Sequence, residues 1–335
     1  MPGPPFMVVD IGGTSLRVAL ARDGVLSHRA RVGTAELGGD AAPWLRRWRM
    51  ALPDPPIAAA VAVAGPVTDP DRVELTNVQL RLARADLDLP AVLLNDLHAA
   101  ALGVHAVPAA GRVRLAGPAP DPEGPIAVLG VGTGLGQAVR LGDTVLPGEG
   151  GHAAFAARDA EQRALADFLA ARHGYVDWEH VASGSALPAL LDFACTVHGR
   201  GPALSQALGA GQAPAAVVLD LADRDPACAQ ALRLLLSALG TEAGNMGLRH
   251  LATGGVWLVG GVAARLRPHL EWTSSPDGGP FHAAFQARGR FSELAARLPR
   301  LLVLDDDVGL YGAARAAAGL LPPVVASTVA STVAG

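Results

Sequence analysis

The chain has 335 residues, is half hydrophobic, carries a formal charge of −4, and draws all 27 of its basic residues from arginine. Without a lysine there is no Walker-A phosphate loop, no protein-kinase strand lysine and no Schiff-base or pyridoxal-phosphate anchor. The charge balance gives no general attraction to nucleic acid or anionic membrane. No apolar run approaches the ~20 residues of a membrane span, and residues 1–6 lack the basic and apolar regions of a secretory signal, so a cytoplasmic protein of roughly two domains is expected. Cys195 and Cys228 are too few for a disulfide framework and are expected to be reduced, buried small hydrophobes.

In chain order, an apolar run at 6–9 ends at Asp10 and is followed by Ile11, Gly12, Gly13, Thr14 and Ser15. A second strand at 16–21 leads into the turn Arg22-Asp23-Gly24, so residues 25–32 are expected to pair antiparallel with it. Trp44, Leu45 and Trp48 give residues 41–52 an apolar helical stripe. Strands at 57–64 and 91–94 end in Gly65-Pro66 and Asn95-Asp96, and a helix to about Val104 starts at the latter pair. Residues 106–125, rich in Pro, Gly and Ala, are the best linker candidate. The opening pattern then recurs about 120 residues later. A strand at 126–131, the loop Gly132-Thr133-Gly134-Leu135-Gly136, a strand at 137–141 and a turn at Gly142-Asp143 repeat it. An internal repeat of this kind implies two similar halves.

The remainder reads as mostly helical. A helix at 159–173 turns Leu165, Phe168 and Leu169 inward and stops at Gly174. A long buried helix at 225–252 contains Gly240, Gly244 and Gly247. Strands at 256–259 (running into Gly260-Gly261) and 301–304 precede a closing helix at 309–320. The tail beyond Pro322 has no period and is expected to fray.

Three loops share one pattern: an apolar strand, then small residues, at Asp10 to Thr14, around Gly132 to Gly136, and at Gly260-Gly261. Each is a tight turn or a phosphate cradle, because glycine lets backbone N–H groups close on an anion and threonine adds a hydroxyl. Three such loops, two of them in an internal repeat, favour the cradle. Asp10 is the carboxylate among them, placed to hold Mg²⁺ directly or through water. Asn95 and Asp96 also stand at a strand end, where a carboxylate serves as general base or as the N-cap of the next helix. Glu149 and His152 lie in a glycine-rich loop; without a third ligand at suitable spacing they suit the hydroxyls of a polyhydroxylated substrate better than a metal. Glu179 alone reads as an ordinary helix glutamate, and His98 and His105 as structural or surface groups.

Taken together, these segments resemble the bacterial glucokinase family of the sugar kinase/actin/heat-shock ATPase superfamily. The resemblance runs from residue 8 to about 315. It includes Asp10 to Thr14 with Arg17, Leu75-Thr76-Asn77, Asn95-Asp96, the Gly132 to Gly136 loop, and the specific Leu146-Pro147-Gly148-Glu149-Gly150-Gly151-His152. Ser183-Gly184, Gly244-Asn245, the strand ending in Gly260-Gly261, Gly289-Arg290-Phe291 and Gly309-Leu310 complete it.

The resemblance implies a two-domain α/β protein of the actin-like ATPase (ribonuclease H-like) fold, with a ligand cleft between domains. A small domain would span 1–107 and a large one 108–305, with a closing helix at about 306–321 returning to the small domain and a tail at 322–335. It further implies ATP-dependent phosphorylation of glucose at the 6-hydroxyl, with Asp96 as catalytic base. Asn77, Asn95, Glu149, His152 and Glu179 would bind the sugar. Asp10, Ile11, Gly12, Gly13, Thr14, Gly132, Thr133 and Gly134 would surround the phosphates and Mg²⁺, and Gly260-Gly261 the adenosine. Glucose and ATP would be the partners, with no nucleic acid or membrane, and a homodimer is compatible. Three positions depart from the family: Val78 to Leu80 lack a tryptophan, Ser183-Gly184-Ser185-Ala186 replaces Ser-Gly-Pro-Gly, and Arg288 replaces a lysine. The first two bear on sugar preference. The alternatives are a kinase of another hexose (mannose or an N-acetylhexosamine), a non-catalytic sugar-responsive regulator, and an actin-like filament ATPase.

Overall fold

The computed structural model describes residues 2–65, 67–75, 79–271 and 278–321. Asn77 and the tail 322–335 lie outside the described residues. The chain forms two compact units: one ends at Asp96 and resumes at Ala313, and the other is Leu97–Gly312.

The first unit is built on a five-stranded sheet. Its strands are β1 (Phe6–Ile11), β2 (Ser15–Arg22), β3 (Val25–Gly33), β4 (Ala58–Val63) and β7 (Ala91–Asn95), in the order β3-β2-β1-β4-β7. β5 (Arg72–Leu75) and β6 (Leu80–Ala83) form a separate hairpin that the sequence pattern did not announce. β4, Ala-Ala-Ala-Val-Ala-Val, is buried along its whole length because β1 and β7 flank it in parallel. A strand covered on both faces reads as a continuous apolar run. Met7, Val9, Ile11, Val61 and Leu45 pack into one core with Leu80 and Leu82 of the hairpin.

The second unit repeats the design. β9 (Ile126–Val131), β10 (Leu135–Leu141), β11 (Thr144–Gly148), β12 (Gly255–Val259) and β13 (Arg300–Val303) stand in the order β11-β10-β9-β12-β13. Strand for strand this matches the first sheet: an antiparallel glycine-turn hairpin with parallel strands beyond it. A sixth strand, β8 (Arg112–Ala116), pairs antiparallel with β13. The expected linker at 106–125 therefore contains a sheet edge. Its pairing partner lies far along the chain, so the proline and glycine flanks dominate the local signal.

The unit boundary falls earlier than residue 107 for a steric reason. A Cβ on Gly103 would sit 2.0 Å from the Val308 carbonyl oxygen, and one on Gly312 would sit 1.7 Å from that of Ala99. The helices Asp96–Gly103 and Val308–Ala318 thus cross with their backbones touching. Arg140 of β10 also donates to the carbonyls of Ala101 and Leu102, at 2.9 and 3.1 Å. Helix Asp96–Gly103 is thereby held to the larger sheet.

The 25-residue helix Pro226–His250 is the spine of the second unit. It is capped by Asp225, whose Oδ1 accepts from the N–H groups of Ala227 and Cys228, as an N-cap aspartate does. Cys228 is buried and its thiol is pushed up to about 12 by burial; Cys195 is only half-buried, so the expectation of burial holds for one of the two. The helix keeps its glycines because Gly279–Gln286 lies directly on them: a Cβ at Gly240 would meet the Phe281 carbonyl oxygen at 2.1 Å. Gly240→Ala is therefore expected to destabilise the protein by about 1–3 kcal/mol, as overpacking does. Gly209→Ala, in a helix where an added Cβ meets nothing within 4 Å, should be neutral or slightly stabilising. Denaturant unfolding of both variants checks this; equal effects would remove the close-packing explanation.

Candidate active site

In the first unit, three parallel strands bring their C-terminal ends to one sheet edge. Ile11 is in register with Val63, and Val63 with Asn95. Asp10, Gly65 and the Asn95-Asp96 pair therefore share this edge. Asp10 and the end of β7 stand two strands apart, about 10 Å. Asn95 is fixed by donating from Nδ2 to the Gly65 carbonyl at 2.9 Å. Asp96 is exposed at the first turn of Asp96–Gly103, so the base and cap readings occupy one position. Asp10 makes an ion pair with Arg17, its cross-strand partner on β2.

The turn between β1 and β2 closes on itself: the Gly12 N–H donates to Ser15 at 3.0 Å. From outside it is held by Thr34, whose N–H goes to the Thr14 carbonyl and whose hydroxyl goes to that of Gly13, both at 3.1 Å. Ile11 is buried in the core and its carbonyl accepts from Ala64, so it shapes the turn rather than lining it. Among the described residues, the N–H groups of Gly13 and Thr14 take no partner, and both residues are exposed.

The corresponding turn of the second unit has the same construction. Gly132 N–H donates to the Gly134 carbonyl at 3.0 Å, and among the described residues the N–H groups of Thr133 and Gly134 take no partner. Here the outer brace is Ser183-Gly184-Ser185: the N–H groups of Gly184 and Ser185 donate to the carbonyls of Gly132 and Thr133, at 2.9 and 3.2 Å. A proline at 185, the family's residue, has no N–H for the second bond. Gly260, at the end of β12, has φ +104°, and a Cβ there would lie 2.7 Å from the Val131 carbonyl oxygen. Only glycine combines that left-handed backbone with so close an approach, and it brings the start of Gly261–Arg265 beside the turn.

The sugar candidates Glu149, His152 and Glu179 gather near this second turn. The loop carrying Glu149 and His152 lies against β10, because Gly150 and Gly151 leave room for Gln137 and for the Leu135 carbonyl. Gln137 is anchored in turn by Glu242, fully buried, which also accepts from Asn245 and Arg249 at 2.9 and 3.0 Å. Glu179 is more than a helix-surface acid: its Oε2 accepts the Leu135 N–H at 2.9 Å, directly after the turn. His152 is raised above the ordinary histidine range chiefly by its hydrogen bond to Asp177, with burial opposing and the charges of Glu179, Asp177 and Glu149 adding to the rise. Asp177 was missed in the sequence. Burial alone would raise its carboxyl, but His152 and His180 outweigh it and the net direction is down. Its only local signal was an aspartate three residues ahead of His180, which reads as a helix cap. Among the described residues, no group of three His, Cys, Asp or Glu could hold a metal, and no helix is long and apolar enough to cross a membrane.

The doubled sheet, with a glycine turn in each half, is that of the actin-like ATPase fold, and a carboxylate–imidazole set lies beside one of the turns. A family model of the glucokinases matches residues 7–320. A glucokinase of Nitrobacter hamburgensis is 33% identical over 327 residues, covering 92% of this chain and 95% of the relative. The crystal structure of a glucokinase from an Antarctic psychrotroph superposes with a TM-score of 0.81 at 28% identity, covering 94% of this chain and 99% of that one. A glucokinase of Streptomyces griseus, solved with glucose and AMPPNP, shares the fold at a TM-score of 0.62 and 20% identity, over 94% of this chain and 99% of that one. The chain belongs to the glucokinase family.

The Glu179–Leu135 bond is testable without substrate. Glu179→Ala is expected to cost about 1–3 kcal/mol, the range for removing a charged acceptor from a backbone donor. The Leu135 amide should exchange with solvent faster. Hydrogen exchange read at that amide decides the point, and unchanged protection would contradict the anchoring role.

Proposed function

We propose that the chain transfers the γ-phosphoryl group of ATP to the 6-hydroxyl of D-glucose. The observation that carries this reading is the juxtaposition of Glu149, His152 and Glu179 with a turn that has two unpartnered N–H groups. Hydroxyl-binding groups thus lie next to a phosphate-binding turn, within one unit. Asp96 is the base that takes the 6-hydroxyl proton as that oxygen attacks, and Asn95 and Asn77 bind the sugar with the other three. Gly12, Gly13, Thr14, Gly132, Thr133 and Gly134 receive the phosphates. Gly260 and Gly261 lie against the adenosine, where the absence of side chains lets a flat base approach.

Mg²⁺ fits the donor set. The first turn offers it a partly buried carboxylate, Asp10, which is paired with Arg17. Mg²⁺ characteristically takes one or two carboxylates, retains waters and completes its shell with substrate phosphates. When bound it neutralises phosphate charge; the rest of the chemistry is positioning and proton transfer by the chain itself.

A kinase of another hexose is the second reading. It is favoured by Ser185 and Ala186, which stand where the family has Pro-Gly close to the sugar groups. Asp96→Asn is expected to lower kcat by at least the ~10²–10⁴-fold that a general base contributes, with nucleotide binding retained. Substantial turnover by that variant would overturn the base assignment. A panel of sugars with ATP and Mg²⁺ decides between the readings, and mannose or an N-acetylhexosamine outperforming glucose would select the second.

A further inference from the structure

Asp177 lies behind His152 rather than in the exposed part of the site; its side chain is 8% exposed against 56% for the histidine. The segment is stitched in place by the Trp178 N–H on the Ala153 carbonyl at 3.1 Å and by an antiparallel bridge between Ala154 and Asp177. Trp178 itself is fully buried, edge-on to Phe155. The two carboxylate oxygens serve two imidazoles. Oδ2 is 3.0 Å from His152 Nδ1. Oδ1 is 2.6 Å from His180 Nδ1 and also accepts the His180 backbone N–H at 3.0 Å. A ring nitrogen this close to a carboxylate oxygen carries a proton, since two lone pairs would repel. The His152 ring therefore has its Nδ1–H committed to Asp177, and Nε2 is the nitrogen left for a ligand.

We propose that Asp177 is a positioning residue for sugar binding, holding His152 as the Nδ1–H tautomer so that Nε2 accepts a hydrogen bond from a substrate hydroxyl. The inference rests on the reading of His152 as a sugar ligand. The carboxylate–histidine arrangement fixes ring orientation and tautomer as it does for metal-bound histidines. The charged groups facing His152 are all acidic: Asp177 from behind, Glu149 on its own loop and Glu179 on the next helix. Tyr175 donates from its hydroxyl to the His152 carbonyl at 3.0 Å, and His173 stacks on His180 on the far side of Asp177. Those acids raise the histidine. As pH falls through the raised value, Nε2 gains a proton and ceases to be an acceptor, so glucose affinity is lost on the acid side. Removing the Asp177 charge lowers the histidine and moves that loss to lower pH.

The test is the KM for glucose across about pH 6 to 9 in the whole enzyme and in Asp177→Asn, which keeps an oxygen for the His180 N–H. Expected are a KM raised about tenfold on the alkaline side, a kcat that falls by a smaller factor, and an acid limb displaced to lower pH. In a His152→Ala background the same substitution should change KM no further, since the two residues act as one. An Asp177→Asn enzyme with unchanged KM and an unmoved limb overturns the proposal. So does a full-sized effect in the His152→Ala background. A His152→Ala enzyme with unaltered KM overturns instead the sugar-ligand reading on which the proposal rests. Nitrogen-15 shifts of His152 in the unsubstituted protein give the tautomer directly, and a lone pair on Nδ1 overturns the proposal whatever the variants do.

Discussion

Two backbone N–H groups in each glycine turn take no partner among the described residues, and the surrounding structure grips the turns elsewhere. In both turns the first glycine closes the loop on itself, through Ser15 or Gly134, and leaves the next two amides outward of the closure. The braces grip the turns by their carbonyls: Thr34 in the first unit, Gly184 and Ser185 in the second. A carbonyl grip fixes geometry without consuming donors. Exposed amides of this kind are hydrated in the free protein, and an anionic phosphate replaces that water with charge-assisted bonds. The repeated strand order puts each turn at the end of a central strand, where β7, two strands over, delivers Asn95-Asp96 in one unit and the adjacent β12 delivers Gly260-Gly261 in the other.

In the proposed reaction such amides would take the place of a phosphate-binding lysine. Several of the arginines are committed to the frame. Arg288, where the family often has lysine, donates to the Thr241 carbonyl at 2.6 Å and to that of Ala287 at 3.0 Å. Arg158 reaches the Thr241 hydroxyl and the Ala284 carbonyl from the other side, both at 3.1 Å. Burial lowers Arg288 and Arg300 to about 10, which still leaves both charged at neutral pH. A planar fork can reach several carbonyls at once, which an ammonium on a flexible stem does less well. The exchange at 288 therefore concerns how Gly279–Gln286 seats on the long helix.

The parts legible in the sequence were those with a local signature. Apolar runs closed by glycine and threonine announced both turns, and their recurrence announced the two matching sheets. The glycines of Pro226–His250 looked like weaknesses in a helix, because the helix that needs their space arrives some forty residues later. β8 was hidden by its flanks, since an edge strand of Arg-Val-Arg-Leu-Ala acquires its meaning only from β13. Asp177 was hidden for a related reason. Its partner His152 lies 25 residues away, while its nearer bond to His180 imitates a routine cap. Glu179 was placed in the site by resemblance alone; its bond to Leu135 ties it to the second turn.

Glu179 also marks where the two halves of the repeat diverge. The first turn is braced by a threonine, which holds it and does no more. The second has a carboxylate as well, and one of its oxygens takes the N–H that immediately follows the turn. Each carboxylate oxygen has two lone pairs, so Oε1 remains available to a ligand while Oε2 holds Leu135. In the proposed reaction, a sugar hydroxyl bonded to Oε1 and the phosphates bonded to Thr133 and Gly134 would then depend on one side chain. A sugar that pulls the carboxylate from its place also loosens the turn beside it, so poor sugar fit carries its own penalty at the phosphate. Discrimination among sugars would accordingly appear in turnover as well as in binding, because the two sites share a residue rather than merely lying close together.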